Sequence, residues 1–324
     1  MEEGAACVLL TGATGFVGRH VYERLSRVAR VVCATRNPAR ASERHGDRSW
    51  RRLDVAEPET IAPALEGCTA AFYLVHEMGG DPDYATRESQ HAHSFAEAAR
   101  EAGVRRIVYL GGMKPRGTPS AHLRSRLEVG RVLRESGVST VELRASMIVG
   151  AGSQSWQIVR DLARRLPAMV LPRWLESRSQ PIAIEDVAVA LVHALGLPDE
   201  LDGTWDLPGP ETLSGRDILV RVARICGTTP VIVRVPFVTP RLSSYWLRLV
   251  TSADIHIARE LVEGLRTDIT SSERSLWPLL PEHRLIAFDD AARAALAAEP
   301  KPTPRALALE RLAHGLSRKA FAPG

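Results

Sequence analysis

Val8-Leu9-Leu10-Thr11-Gly12-Ala13-Thr14-Gly15-Phe16-Val17-Gly18-Arg19-His20 is an apolar run that ends in three glycines spaced G-x-x-G-x-x-G. Val21, Leu25 and Val28 then continue at helical spacing. The stretch reads as a strand, a tight turn and the start of a helix. Gly12 lets the chain turn at the strand end, Gly15 lets backbone amides approach a pyrophosphate, and Gly18 lets the helix pack closely on the sheet. The helix N-terminus supplies N–H donors and the positive end of a dipole. Glycine-rich turns are common, but a strand before and a helix after make this one a dinucleotide site. The expected contacts are Gly12, Ala13, Thr14, Gly15, Phe16, Val17, Gly18 and Arg19.

Downstream, Arg30-Val31-Val32-Cys33-Ala34-Thr35 is a β-branched second strand, stopped at Arg36-Asn37-Pro38. An NAD site carries an acidic residue near this strand end to accept the ribose hydroxyls. None occurs between Ser26 and Ser42, whereas Arg36 stands at the strand end itself. A cation without a carboxylate suits a 2′-phosphate, so the expected cofactor is NADP (NADPH), with Arg36 on the phosphate.

Residues 50–55 read as a third strand ending near Asp54, followed by a helix over 58–66. Residues 70–75 form a continuous apolar run, as in a strand buried on both faces. His76 follows at its C-terminal end, where ligands bind in such sheets. A long helix runs from Tyr84 to Ala102, a fifth strand from Arg106 to Leu110 ends in Gly111-Gly112, a helix covers 121–136, and a sixth strand begins at Thr140. Strands alternating with helices specify an α/β fold, a Rossmann-type doubly wound parallel sheet. The expected division is a core over 1–150 and a smaller, mainly helical substrate lobe over 151–324, with 182–210 returning to the core. In the lobe, helices are expected over 154–166, 214–226, 242–250 and 253–265; apolar and aromatic stripes there read more often as core than as ligand box, while Trp156, Trp174, Tyr245 and Trp246 also suit a substrate pocket or a partner-binding face.

Of 324 residues, 45% are hydrophobic and 25% charged, an ordinary globular balance. The net charge is +4, yet the arginines are dispersed among acids, so no nucleic-acid partner is expected. Among the basic residues only Lys114, Lys301 and Lys319 are lysines. Four scattered cysteines, without C-x-x-C or metal-ligand spacing, read as reduced thiols and no metal site. No basic-then-apolar leader and no run of spanning length occurs, so a cytoplasmic protein without stable membrane insertion is expected. Composition leaves monomer and homodimer both open.

With the T-G-A-T-G-F-V-G loop, Asp54-Val55, the Arg144–Gly150 stretch, Ile182–Val187 and Thr204–Gly209 in hand, residues 5–230 resemble the short-chain dehydrogenase/reductase superfamily. Within it they are similar to the extended, atypical branch near the NmrA-like NAD(P)-binding proteins. The resemblance implies that Asp54 and Val55 meet adenine and that Leu74, Val75 and His76 line the ribose side. It also implies that Gly111 and residues 145–148, Met147 among them, lie near the nicotinamide. The family's catalytic serine, tyrosine and lysine are replaced: Gly112 stands for the serine, and His122-Leu123-Arg124-Ser125-Arg126 for Tyr-x-x-x-Lys. Arg126 can bond a ribose hydroxyl but cannot serve as an acid at neutral pH. His122 and His76 are candidate proton donors, because imidazole titrates near neutrality. Ser146 is a candidate substitute for the serine, and Glu88, near the family's helical asparagine, reads as a helix-surface charge. Two functions follow: an NADPH-dependent reductase of a small-molecule carbonyl, aromatic polyketide or quinone-like, or a non-catalytic NADP-binding redox sensor or scaffold.

Overall fold

A computed structural model describes residues 6–76, 83–165, 168–228, 231–235 and 267–299. The expected helices over 242–250 and 253–265, with Tyr245 and Trp246, and the side chain of Trp174 lie outside the described residues.

The core alternates strands and helices: β1 (Cys7–Leu10), α1 (Phe16–Leu25), β2 (Arg30–Thr35), α2 (Pro38–Arg44), β3 (Ser49–Arg52), α3 (Ile61–Leu65), β4 (Ala70–Tyr73), α4 (Tyr84–Glu101), β5 (Arg106–Gly112), α5 (Ala121–Arg134) and β6 (Ser139–Ala145). One later strand, β11 (Gly203–Leu207), joins the same sheet, whose order is β11-β6-β5-β4-β1-β2-β3 with every pairing parallel. Strand order reverses between β1 and β4, which makes their C-terminal ends the switch point of a doubly wound sheet.

Side chains alternate across the sheet with the period of two that a pleated strand imposes. Val8 and Leu10 of β1, with Val108 and Leu110 of β5, pack on Val21 and Leu25 of α1 and Val187 and Leu191 of α7 (Ile184–Ala194). Cys7, Leu9, Ile107 and Tyr109 point the other way, onto Phe95 of α4 and Val129 and Val132 of α5. Both faces are therefore dry, and each large side chain fully buried there contributes about 1.5–3 kcal/mol.

Between core and lobe run β7 (Ile148–Val149), α6 (Gln154–Arg165), β8 (Ala168–Pro172), β9 (Arg178–Ser179) and β10 (Ile182–Ala183). After β11 come β12 (Leu213–Ser214), α8 (Gly215–Ile225), β13 (Val231–Val235) and α9 (Phe288–Ala297). These strands make three two-stranded ribbons, β10–β7 and β13–β8 parallel and β12–β9 antiparallel, which the sequence reading does not contain. A separate apolar cluster joins α6, α8 and α9 through Trp156, Leu219, Val222, Phe288 and Ala292. Trp156 is fully buried, and its indole N–H donates to Glu299 at 2.9 Å, so it is core and not pocket lining.

Residues 267–299 stitch the whole together. Leu276 N–H donates to Asp206 O and Asp206 N–H to Arg274 O, which adds this segment to the free edge of β11. The buried Asp206 carboxylate accepts from Ser271 Oγ at 2.9 Å and from the amides of Ser272 and Glu273 at 3.1 and 3.2 Å. The buried Asp186 of α7 meets His283 Nε2 at 2.9 Å and accepts from Ile286 N–H at 3.1 Å.

Candidate functional site

The glycine turn sits at the switch point. Gly12 is in the left-handed region at φ +64°, and a Cβ there would stand 2.6 Å from Leu74 O. A Cβ on Gly18 would run into Gly12 O, so only glycine lets α1 come this close to the turn. Thr11 ties the turn to β4: its hydroxyl donates to Phe72 O at 2.8 Å and accepts from Leu74 N–H at 2.8 Å. At the start of α1, the cap residue Gly15 offers no side-chain hydrogen bond and the first turn carries no acid. The first amides of the helix are thus open to an anion. A close-approach turn with uncapped donors fits a pyrophosphate.

Arg36 is exposed just past the C-terminal end of β2, and Asn37 caps α2 by accepting from Arg40 N–H at 3.0 Å. Asp54 is half-buried after β3; one carboxylate oxygen accepts from Ala56 N–H at 3.1 Å, and its backbone is held by Thr60. Arg19 points elsewhere: it donates to Ala151 O at 2.7 Å and lies over the Phe16 ring. Leu74 and Val75 are half-buried at the end of β4, as is Met147 after β6, whose carbonyl accepts from Ile182 N–H. Gly111 is buried, its open side against Glu142 and Tyr109.

Three of the sequence candidates converge. His122 and Arg126 are four residues apart on α5, hence on one helical face. That face meets the C-terminal ends of β4 and β5, where the His76 and His122 rings lie 6.0 Å apart, centroid to centroid, tilted by 57°. Arg126 donates to Leu110 O and lies over the Tyr109 ring at 5.7 Å. His76 keeps solvent contact just past the C-terminal end of β4, although protein packs closely around it. Burial, then the charge of Arg126, then His122 hold the His76 imidazole well below its ordinary value. Burial and then Arg126 bring His122 down to about 4. The expectation that His122 titrates near neutrality is corrected: both rings are neutral at pH 7, because a charged imidazole would have to form beside a fixed guanidinium.

Ser146 does not join them; its hydroxyl donates to Gln180 O at 2.6 Å. At the family's serine position, a Cβ on Gly112 would press on Leu123. Glu88 is not a surface charge. It is buried on α4 and accepts from the Ser125 hydroxyl of α5. Its place was readable, since Tyr84, Glu88, Ala92, Phe95 and Ala99 repeat at helical spacing and all face inward. Tyr109 was missed as a neighbour of the site: it is buried, its hydroxyl donates to Arg126 O at 3.0 Å, and burial above all raises it above the ordinary tyrosine range. Among the described residues there is no cluster of three or more side chains able to hold a metal, and no helix is long and apolar enough to cross a membrane.

A family model described as NAD(P)H-binding matches residues 12–163. The chain is 29% identical over 230 residues to a (4-alkanoyl-5-oxo-2,5-dihydrofuran-3-yl)methyl phosphate reductase of Streptomyces griseus, covering 68% of this chain and 74% of that one. It is 26% identical over 288 residues to a ceramide reductase of Caulobacter vibrioides, covering 85% and 89%. The fold matches that of a Citrobacter triphenylmethane reductase complexed with NADP(H), with a TM-score of 0.71 at 16% identity over 89% of this chain and 99% of that one. A nucleoside-diphosphate-sugar epimerase from Staphylococcus aureus superposes with a TM-score of 0.68 at 17% identity, covering 88% and 99%. The chain thus has a Rossmann fold, and these two sequence relatives are reductases by name.

Proposed function

We propose that this protein is an NADPH-dependent reductase that passes hydride to a carbonyl of a small molecule, aromatic polyketide or quinone-like, without the family's tyrosine and lysine. One observation carries the reading: His76, His122 and Arg126 gather on the same sheet edge as the glycine turn, where a cofactor's reactive end and its acceptor must meet. A redox sensor would need the turn but no such gathering.

In this reading the turn and the first amides of α1 hold the pyrophosphate, Arg36 takes the 2′-phosphate, and Asp54 meets the adenine. The bound cofactor supplies the hydride, and the protein's part is to hold the acceptor carbon against it. Arg126, fixed by Leu110 O and the Tyr109 ring, keeps a positive charge where negative charge grows on the acceptor oxygen. The relatives support the reductase reading: one is named for an oxo-dihydrofuran phosphate, and a fold neighbour is complexed with NADP(H). As a small-molecule enzyme it would work in the cytoplasm, as monomer or homodimer.

The test is to incubate the protein with NADPH deuterated at nicotinamide C4, on either face, and a metabolite extract from its source, then search for deuterated metabolites by mass spectrometry. A metabolite labelled only when the protein is present is the expected result. No label on either face, with NADPH binding measured directly, would replace the reductase by the sensor.

A further inference from the structure

We propose that Cys7 and Cys68 are a redox modification site: a low-molecular-weight disulfide oxidises the two thiols to a bond that staples β1 to the entry of β4. Neither sulfur belongs to the cofactor site or depends on what the protein reduces.

The backbone brings the pair together. Cys7 opens β1, which runs parallel to β4 with Val8 beside Ala70. One residue back, Thr69 N–H donates to Cys7 O at 2.8 Å. Cys68 precedes Thr69 in the turn between α3 and β4, where its own N–H donates to Leu65 O at 2.9 Å. Arg51 of β3 fixes the same turn, donating to Ala64 O at 2.9 Å and to Glu66 O at 2.6 Å. Both side chains enter the apolar cluster that holds Leu65 of α3 and Phe95 of α4, and there the sulfurs meet at 3.4 Å. A disulfide bond is about 2.05 Å long. The sulfurs therefore have little more than an ångström to travel, a distance that rotation about the two Cα–Cβ bonds covers. Cys33 belongs to the cluster on the other face of the sheet, and Cys226 caps α8 in the lobe.

Both thiols are buried, yet each is one step from solvent. Ala6 and Gly67, the residues before them, are exposed, and the exposed Arg30 donates to Cys7 Sγ at 3.6 Å. Burial, and then the hydrogen bond with Cys7, push the Cys68 thiol up to about 12. Such a thiol is a poor nucleophile and a poor metal ligand at pH 7, so exchange there is slow. The disulfide carries no charge and needs no donor, which suits a dry cluster once it has formed.

The exchange balances in two steps. One cysteine loses its proton, and its sulfur attacks the S–S bond of the reagent, making a mixed disulfide and expelling one reagent thiolate. The other cysteine loses its proton and attacks the protein-side sulfur of that mixed disulfide, which expels the second thiolate. The protein gives up two electrons and two protons, and the reagent leaves as two thiols.

The loop so closed joins residues 61 apart and contains the glycine turn, Arg36 and Asp54. Closing a loop of this length restricts the unfolded chain. The staple also fastens the lower ends of the strands whose upper ends Thr11 already ties, through Phe72 O and Leu74 N–H. In a reducing compartment such a bond is transient and senses the redox state.

The full chain would be incubated with oxidised glutathione or with dithiothreitol at pH 8.5, denatured into N-ethylmaleimide, and mapped by non-reducing peptide mass spectrometry. The expected oxidised product carries maleimide on Cys33 and Cys226 and a bond between the peptides of Cys7 and Cys68. Its thermal midpoint should stand roughly 5–10 °C above that of the reduced form, and dithiothreitol should reverse the rise. C33A should link as the wild type does, whereas C68A should gain neither staple nor midpoint; the wild-type map stands as the test even if C68A does not fold. A glutathione adduct that stays on Cys7 or Cys68 without closing, a bond through Cys33 or Cys226, or four thiols untouched by the reagent would each overturn the proposal. So would a linked protein no more stable than the reduced one.

Discussion

Burial first and Arg126 second keep the two imidazoles uncharged, the guanidinium being held beside them by its donation to Leu110 O. The unfolded His122 has its ordinary value of 6.5, and folding lowers it to about 4. Between those values the unfolded chain binds more protons, so stability rises with pH through this window. The contribution is whole above about pH 6.5 and is lost as pH falls through 4. Thermal midpoints measured from pH 4 to 7 should therefore climb, and H122Q should climb less steeply; identical slopes would contradict the lowered value. Imidazole NMR signals of His122 should likewise stay at their neutral positions down to pH 5.5, and His76 should titrate below the ordinary histidine value. Cofactor choice belongs to this scale too. Losing a charge-assisted contact costs about 1.5–3 kcal/mol, so R36A should weaken NADPH binding roughly ten- to hundredfold and leave NADH unchanged by calorimetry. Equal weakening of both would remove Arg36 from the 2′-phosphate.

Helix α1 does two jobs at once. Its N-terminus faces the cofactor turn, and Arg19, one turn in, reaches across to Ala151 O in the loop that opens α6. R19A should accordingly change NADPH affinity less than threefold while lowering the thermal midpoint, whereas a phosphate ligand at this position would give the R36A result. G18A should fail on both measures, since its Cβ has to displace the carbonyl of Gly12 and overpacking costs about 1–3 kcal/mol. Such elements were legible in the sequence wherever one rule decided them. The apolar run before Gly12, the β-branched Arg30–Thr35 stretch and the long Tyr84–Glu101 helix form within a residue or two of their expected bounds. His122 and Arg126 could be placed on one face from their spacing alone. What stayed hidden depends on partners far along the chain: the two-residue strands β7, β9 and β12 are too short to carry a period, and Ser146 looked available until Gln180 met it. Trp156 was open to both a core and a pocket reading, because its partner, Glu299, lies 143 residues away.

On the scale of the whole molecule, the last described segment does not follow the division into core and lobe. Ser271, Ser272 and Glu273 satisfy Asp206 at the sheet edge, Glu273 also meets the buried Arg144 of β6, His283 and Ile286 satisfy Asp186 under the core, and Glu299 reaches Trp156 in the lobe. Removing one partner of a buried charge is costlier than never having built the pair, about 3–5 kcal/mol. D186A should therefore lower the thermal midpoint by several degrees, read by calorimetry, and speed proteolytic cleavage within 280–287; an unchanged midpoint would show that the link is idle. The consequence reaches the ribosome. The glycine turn is made first, but the carboxylates of β11 and α7 remain unanswered until more than 270 residues have been synthesised. A nascent or truncated chain that stops after α8 would hold every strand of the parallel sheet and still leave two buried acids bare, so a fragment spanning 1–228 should collect as insoluble material where 1–299 does not. The order of translation thus makes the tail the step that commits the cofactor domain to its native state.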